Sequence, residues 1–321
     1  MSIPRTIAQV AFTPKGEADR YLPESPRIVQ VDGRAALCWI NIQTGPNATT
    51  GSVHIGFLDN GERRRFGLPA RPGFILPCEI PNTLVVGLEK TIGMLNLARG
   101  AWTPLAKITD TRARTIINDG EVLPGGHGIV FGTKDVSFLE SIAHLYLMTL
   151  PDQQISVLAD DMLCSNGKIL LNLGQDAILF DIDTAKKLVE RYYLDVGKHQ
   201  LIRDGIAIDL RDDPAFPDGM VDCGDGSVII AFYNPNCGGD GVARRYRLSG
   251  GELVEEWIIP GSPRVTCPLL FKHQDQIKVL FTTAVEGMPA DMRATSPNAG
   301  ALFIASTTLT SIPDVDVVRL T

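Results

Sequence analysis

The side chains of this sequence that could do chemistry together are acids and amides that lie close to a glycine or proline. They are Glu24, Asn118, Asp119, Asn166 and Asp218. Carboxylate and amide oxygens are ligands that hard divalent cations accept, and a carboxylate can also act as a general base. Each surrounding segment, taken singly, is typical of a turn, so we predict that these residues lie in turns between strands.

Other kinds of catalytic site are excluded by what the sequence lacks. It contains no GxSxG nucleophile elbow, no P-loop and no HExxH motif. The five histidines are His54, His127, His144, His199 and His273. None of them pairs with another at a ligand spacing, which argues against a histidine-rich metal site and a Ser-His-Asp triad.

Composition and charge narrow the class of partner. The 321 residues include 30 Lys and Arg against 37 Asp and Glu, and the net charge of −7 argues against binding nucleic acid. No apolar run approaches the roughly 18 residues of a membrane span, and the N-terminus does not read as a secretory signal. We expect a cytoplasmic protein without a membrane partner.

The six cysteines form no CxxC pair, which indicates reduced and mostly buried thiols.

Short apolar runs bounded by turn residues dominate the chain and predict an all-β fold. Examples are Ser52–Leu58, Thr83–Leu88, Gly128–Gly132, His144–Leu150, Ala177–Asp181, Ser227–Tyr233, Lys278–Ala284 and Ala301–Ser306. Helices are scarce, and Thr184–Tyr193 could be a helix or a hairpin turn with its return strand.

A weak repeat of about 50 residues fits a propeller blade of four short strands. Its starting points are Val53, Met94, Leu145, Ile178, Val242 and Ala301. We predict a six-bladed β-propeller with four antiparallel strands per blade, formed by residues 1–321 as a single domain. Arg5–Phe12 is predicted to close the ring by pairing with the last blade.

Four blocks in order resemble the gluconolactonase, regucalcin (senescence marker protein) and luciferin-regenerating-enzyme family. They are Glu24-Ser25-Pro26, Ile117-Asn118-Asp119-Gly120, Ser165-Asn166-Gly167 and Pro217-Asp218-Gly219-Met220. The last block is the most specific of the four. The resemblance covers nearly the whole chain and implies a six-bladed propeller with one divalent metal ion in its central tunnel.

Carried over position by position, the resemblance implies roles for the residues of these blocks. Glu24, Asn166 and Asp218 would be the metal ligands, and Asn118 would hold the substrate or a metal-bound water. Asp218 would also be the catalytic base. Two carboxylates and one amide form an all-oxygen set that suits Ca²⁺, Mg²⁺ or Mn²⁺ and can accept Zn²⁺.

The chain departs from the family pattern around the expected substrate pocket. Ile116 stands where sugar-lactone hydrolases of the family usually have an arginine, and the nearby Arg114 could compensate for that loss. Lys134 and Asp135 replace an expected acidic pair. We therefore count Asn118, Ile116, Arg114 and Lys134 as candidate substrate-binding residues. Asn172 is an alternative oxygen donor should Asn166 lie away from the tunnel.

The resemblance implies a metal-dependent hydrolase that opens a sugar-acid lactone or a more apolar lactone. A non-catalytic propeller that binds Ca²⁺ or a small ligand is an alternative, because propellers support many functions. The same metal site acting on another ester, such as an organophosphate, is a further alternative. The expected partner is a small-molecule lactone, and the expected state is a monomer or weak homodimer.

Overall fold

The fold is known from a computed structural model that describes residues 3–273 and 275–320. Short apolar runs separated by turn residues form strands of three to ten residues. Most strands belong to six four-stranded antiparallel sheets, the blades of a propeller. The predicted all-β, six-bladed fold is confirmed. In this part of the chain no helix is both long enough and apolar enough to span a membrane.

The strands follow the chain from blade to blade. The N-terminal strands are β1 (Arg5–Ile7) and β2 (Gln9–Phe12). Blade 1 contains β3 (Pro23–Val31), β4 (Arg34–Asn41), β5 (Ser52–Phe57) and β6 (Arg63–Gly67). Blade 2 contains β7 (Pro72–Pro77), β8 (Thr83–Leu88), β9 (Thr91–Asn96) and β10 (Ala101–Lys107). Blade 3 contains β11 (Thr115–Val122), β12 (Gly128–Asp135), β13 (Ala143–Thr149) and β14 (Ile155–Met162).

The second half of the ring repeats this arrangement. Blade 4 contains β15 (Ser165–Leu173), β16 (Asp176–Asp183), β17 (Leu188–Asp195) and β18 (Gln200–Asp209). Blade 5 contains β19 (Phe216–Asp222), β20 (Ser227–Tyr233), β21 (Gly241–Arg247) and β22 (Leu253–Ile259). Blade 6 contains β23 (Val265–His273), β24 (Gln276–Thr283) and β25 (Leu302–Ser306). The short helices are a 3-10 turn, Glu17–Arg20, and α1, Ala290–Ala294.

The N-terminal segment closes the ring, as predicted. Strand β2 pairs antiparallel with β25 and supplies the fourth strand of blade 6, with Val10 opposite Phe303. Strand β1 instead pairs parallel with β22 of blade 5, with Thr6 opposite Trp257. The segment therefore fastens two neighbouring blades, because its pairing changes from one blade to the next at Ala8.

The blade repeat is more regular than the sequence suggested. The first strands of the blades begin at residues 23, 72, 115, 165, 216 and 265, which are 43 to 51 residues apart. The uneven intervals around Ile178 arise because this residue lies on the second strand of its blade, whereas Val53, Met94 and Leu145 lie on third strands. The ambiguous segment Thr184–Tyr193 is a turn followed by strand β17.

The first strand of each blade lies innermost, and all six form a ring of neighbours around the tunnel. Each has a break in its pairing register with the second strand. The breaks fall at Glu24–Arg27, Pro72–Phe74, Ile117–Asp119, Ser165–Lys168, Pro217–Met220 and Val265–Pro268. Our prediction that the acidic and amide residues lie in turns was wrong, because they lie at bulges within strands.

Glycine is needed at these bulges because the neighbouring inner strand approaches closely. A Cβ on Gly73 would lie 2.3 Å from the Ile117 carbonyl oxygen, and one on Gly167 would lie 2.5 Å from the Met220 nitrogen. A Cβ on Gly219 would lie 2.9 Å from the Cys267 Cα. None of these three glycines has the positive φ of a turn glycine. They allow one blade to pack directly against the next.

The blades pack through apolar side chains, as the fold requires. Trp39 and Trp257 are buried in apolar clusters between blades. Trp102 is partly buried and packs against another apolar cluster. Every residue from Ser227 to Phe232 in β20 is buried, as expected of a strand covered on both faces. All six cysteines are free thiols, and Cys38, Cys164, Cys223 and Cys267 are buried.

The C-terminal segment crosses the end of the tunnel opposite the bulges. Pro313 packs on Gly224 of blade 5, and Val318 makes a parallel bridge to Cys78 at the end of blade 2. Between these points, residues 312–316 cover a cavity of about 150 Å³. The backbone N–H of Arg319 donates to the Gly126 carbonyl at 2.9 Å. The segment thus braces blades on opposite sides of the ring.

We predict that Gly167→Ala destabilises the ring, because the new methyl group meets backbone atoms of β19 at 2.5 to 2.9 Å. The expected loss is about 1–3 kcal/mol in the free energy of unfolding, measured by urea denaturation. Gly67→Ala is the control, since a Cβ there meets nothing within 4 Å. Equal stability of the two variants would contradict the close approach of blades 4 and 5.

Candidate metal and substrate site

Inner strands of four blades bring the predicted site residues to the same end of the tunnel. Glu24 lies on β3, Asn118 on β11, Asn166 on β15 and Asp218 on β19. The Asn166 side-chain amide donates a hydrogen bond to Asp218 Oδ1, and the Asn118 amide donates to the Ser165 carbonyl at 3.1 Å. The bulges turn these polar side chains toward one place, although they come from separate blades.

The carboxylates of this cluster oppose one another's ionisation. Burial raises the pKa of Glu24 well above its usual range, and the charges of Asp218 and Asp119 raise it further. Burial also raises the pKa of Asp218 to about 8, against the opposing effects of Lys134 and of the Asn166 hydrogen bond. Negative charge here is costly unless a cation lies beside it.

The two asparagines present free carbonyl oxygens. Asn166 uses its amide nitrogen to donate to Thr184 Oγ1, at 3.1 Å, and to Asp218. Asn118 uses its nitrogen toward Ser165 and, at 3.6 Å, toward Cys164 Sγ. Among residues 3–273 and 275–320, neither side-chain oxygen accepts a hydrogen bond. Both amides are therefore held by their nitrogens and have oxygens available to a ligand.

This donor set fits a hard divalent cation. Glu24 uses one oxygen to accept from the Ser25 N–H at 2.8 Å, and its other oxygen is free of protein donors in the described part of the chain. No three His, Cys, Asp or Glu side chains of the described residues form a metal-binding group by themselves. A cation at this place would therefore need amide oxygens besides Glu24 and Asp218, and Asn166 is positioned to supply one.

A buried lysine holds the backbone at Asn166. The ammonium of Lys168 donates to the Asn166 carbonyl at 2.6 Å and pairs with Asp181 at 3.2 Å, and both charged side chains are almost fully buried. These contacts fix the backbone at the start of β15. Asn166 therefore stays beside Asp218, to which its amide donates. The alternative donor, Asn172, is exposed near the far end of β15, where its oxygen accepts from the Gly174 N–H.

Arg114 does not stand free beside Ile116. Its guanidinium pairs with Asp135 at 3.0 Å and with Glu140 at 3.1 Å, so its donors are already engaged. Ile116 is only 2% exposed, yet it joins none of the apolar clusters formed by the described residues. Lys134 lies directly opposite Ile116 in the pairing of β11 with β12 and is half-buried.

The structure gives roles to charged and phenolic groups to which the sequence assigned none. Asp119 raises the pKa of both Glu24 and Asp218, so it belongs to the acidic cluster. Glu286, in the loop after β24, also raises the pKa of Asp218 and accepts from the Tyr233 hydroxyl at 3.4 Å. The block Ile117-Asn118-Asp119-Gly120 marks Asp119 in the sequence but does not indicate its role. No local pattern marks the loop that carries Glu286.

The 150 Å³ cavity is a separate feature of the tunnel. It lies under residues 312–316, among the far ends of the inner strands, and Arg27 and Glu121 line it. These two side chains pair at 3.0 Å. None of the predicted metal ligands lines this cavity, so it is not the candidate site.

We predict that Asp135→Asn weakens the protein at neutral pH but not in acid. Burial disfavours the Asp135 carboxylate, but hydrogen bonds from the Ser137, Leu139 and Glu140 N–H groups and from Arg114 hold its pKa below the usual range. Its ionised form therefore stabilises the fold above about pH 4, the ordinary carboxyl pKa, and this contribution disappears as pH falls through the lower folded-state pKa.

The measurement is urea denaturation of wild type and variant at pH 7 and pH 3. The expected cost at pH 7 is about 1–3 kcal/mol, and the difference should shrink at pH 3. A constant difference at both values would contradict a role for the ionised carboxylate.

Comparison with known proteins identifies the family of this chain. Residues 22–285 match the model of the SMP-30/Gluconolactonase/LRE-like region. Regucalcin of Xenopus laevis is 25% identical over 224 residues, covering 68% of this chain and 71% of that protein. Human regucalcin is 25% identical over 225 residues, covering 68% of this chain and 72% of that protein.

Solved structures share the fold at lower identity. A calcium-binding regucalcin from Agrobacterium tumefaciens superposes with a TM-score of 0.80 at 18% identity, covering 99% of both chains. A gluconolactonase from Xanthomonas campestris superposes with a TM-score of 0.63 at 14% identity, covering 95% of this chain and 98% of that one. The matched region spans five complete blades and the two inner strands of the sixth, and on that ground the chain belongs to the SMP-30/gluconolactonase/LRE-like family.

Proposed function

We propose that this protein is a metal-dependent hydrolase that opens a lactone ring. The observation that carries the proposal is the half-buried Glu24 and the buried Asp218, which lie with the free oxygens of Asn118 and Asn166 at one end of the tunnel. Family membership supports a lactonase-type activity in general, and a gluconolactonase shares the fold. The proposal assigns that activity to the site formed by these four residues.

Glu24, Asn166 and Asp218 would hold the cation. When bound, a divalent cation supplies a Lewis acid that polarises a carbonyl and acidifies a water molecule. The protein's own contribution is to fix these three side chains before substrate arrives. Hydrogen bonds from Thr184 to the Pro217 carbonyl and from Asn166 to Thr184 link the two blades that carry the ligands.

Asp218 is the group best placed to take a proton from the attacking water. The Asn166 amide holds its buried carboxylate in a fixed position, from which it could accept that proton. Asn118 would orient the water or a substrate hydroxyl through its free oxygen, because its nitrogen is fixed by blade 4. Ile116 would form an apolar wall beside them.

A binding protein without catalytic activity is the second candidate. The observation that favours it is the structural likeness to a regucalcin described as calcium-binding. A panel of lactones assayed with a pH indicator, in the presence of Ca²⁺, Mg²⁺, Mn²⁺ or Zn²⁺, distinguishes the two candidates. Metal-dependent acid release supports the hydrolase, whereas no release from any lactone favours the binding protein.

We predict that Asp218→Asn lowers kcat/KM for the best lactone by about 10²–10⁴-fold, because the variant loses the base and one anionic ligand. Initial rates at saturating metal measure the effect. Asp222→Asn is the matched control, since Asp222 lies on the same strand and its oxygen accepts from the Gly224 N–H. Retention of full activity by Asp218→Asn would rule out the proposed mechanism.

A further inference from the structure

Lys134 lies between the two blades that carry the asparagines of the site. It is opposite Ile116 in the pairing of β11 with β12, and it forms an isolated antiparallel bridge with Cys164 of the next blade. Ile116 precedes Asn118 by two residues, and Cys164 precedes Asn166 by two residues. Its place in the pairing therefore puts Lys134 at the site end of both inner strands.

The ammonium of Lys134 forms no direct ion pair or hydrogen bond in the part of the chain that the structure describes. No described residue within 3–273 or 275–320 places a carboxylate within 4.0 Å of it or accepts a hydrogen bond from it. Two other lysines of the neighbouring blade differ in this respect. Lys168 pairs with Asp181 at 3.2 Å, and Lys186 pairs with Asp183 at 3.4 Å.

The charged groups around Lys134 form no direct ion pair with it. Glu24 and Asp218 are near enough for Lys134 to lower the pKa of each, but neither forms an ion pair with it. The neighbouring Arg114 is already neutralised by Asp135 and Glu140. If a divalent cation offsets Glu24 and Asp218, the charge of Lys134 is left without an opposing charge, and a ligand carboxylate would supply one.

We propose that the lactone taken by this site carries a carboxylate, and that Lys134 binds that carboxylate. The inference rests on the proposed lactonase function and names its substrate class. Ile116 would then contact the apolar edge of the ring, while the cation offsets Glu24 and Asp218. Lys134 is the positive charge left on this side of the site, since Arg114 is engaged elsewhere.

A different result is expected if Lys134 acts only through its charge and does not contact the substrate. If the lysine only balanced the carboxylates of the acidic cluster, its loss would weaken metal binding and would affect every substrate alike. A contact with the substrate carboxylate, in contrast, would be lost only for substrates that have one.

The test compares glucono-1,4-lactone with glucaro-1,4-lactone, which differ only in a CH₂OH or COO⁻ group at carbon 6. We expect Lys134→Gln to raise KM for the glucarolactone by about 10–100-fold, the range of a charge-assisted hydrogen bond. KM for the gluconolactone should rise by a clearly smaller factor, so the ratio of the two KM values is the quantity that reports the carboxylate contact. Lys134→Arg should retain most of the affinity.

Lys186→Gln is the matched control, because it removes the same charge from a lysine that is already paired. Calorimetric titration with glucarate and with gluconate, the two ring-opened products, measures the contact without turnover. Both carry the carboxylate at carbon 1, so we expect Lys134→Gln to weaken glucarate binding about ten-fold or more beyond its effect on gluconate.

The outcomes separate the two proposals. If neither lactone is hydrolysed but glucarate binding depends on Lys134, the lactonase proposal fails and the carboxylate contact stands. If the gluconolactone is hydrolysed and Lys134→Gln changes both lactones equally, the carboxylate contact is overturned and the lactonase stands.

Discussion

The candidate site depends on one constraint. Several carboxylates lie close together at the end of the tunnel, where they are largely shielded from water. The charges of Asp218 and Asp119 raise the pKa of Glu24, and the charge of Asp119 also raises the pKa of Asp218. Lys134 is a nearby positive charge without an ion-pair partner among the described residues. A protein that places carboxylates in this way must keep protons on them or bind a cation. The free oxygens of Asn118 and Asn166 favour the cation, because they add neutral ligands without adding charge.

Packing between the blades makes this concentration of charge possible. The residue after Asn166 and the residue after Asp218 are glycines that sit against the next inner strand, where a methyl group would meet its backbone or the adjacent cysteine. The same dipeptide therefore supplies a candidate ligand and the close approach that positions it. The register breaks lie at equivalent positions in all six inner strands, so a ring of similar bulges surrounds the site.

Sequence patterns predicted the parts of this architecture that are local. The alternation of short apolar runs and turns indicated the strands, and the spacing of about 50 residues indicated six blades. Asn-Gly and Asp-Gly were misinterpreted as turns, because their composition alone cannot distinguish a glycine with positive φ from one required by a neighbouring strand. Glu286, the pairing of Arg114 with Asp135 and the crossing of the C-terminal segment depend on the assembled ring, and no local signal marks them.

The central claim is that the acidic cluster binds one divalent cation. The most direct test is equilibrium dialysis of the purified chain against Ca²⁺, Mg²⁺, Mn²⁺ or Zn²⁺, followed by elemental analysis by mass spectrometry. The account predicts one ion per chain for at least one metal, and loss of that ion in Glu24→Gln. The absence of stoichiometric metal in the wild type, or full retention in Glu24→Gln, would contradict it.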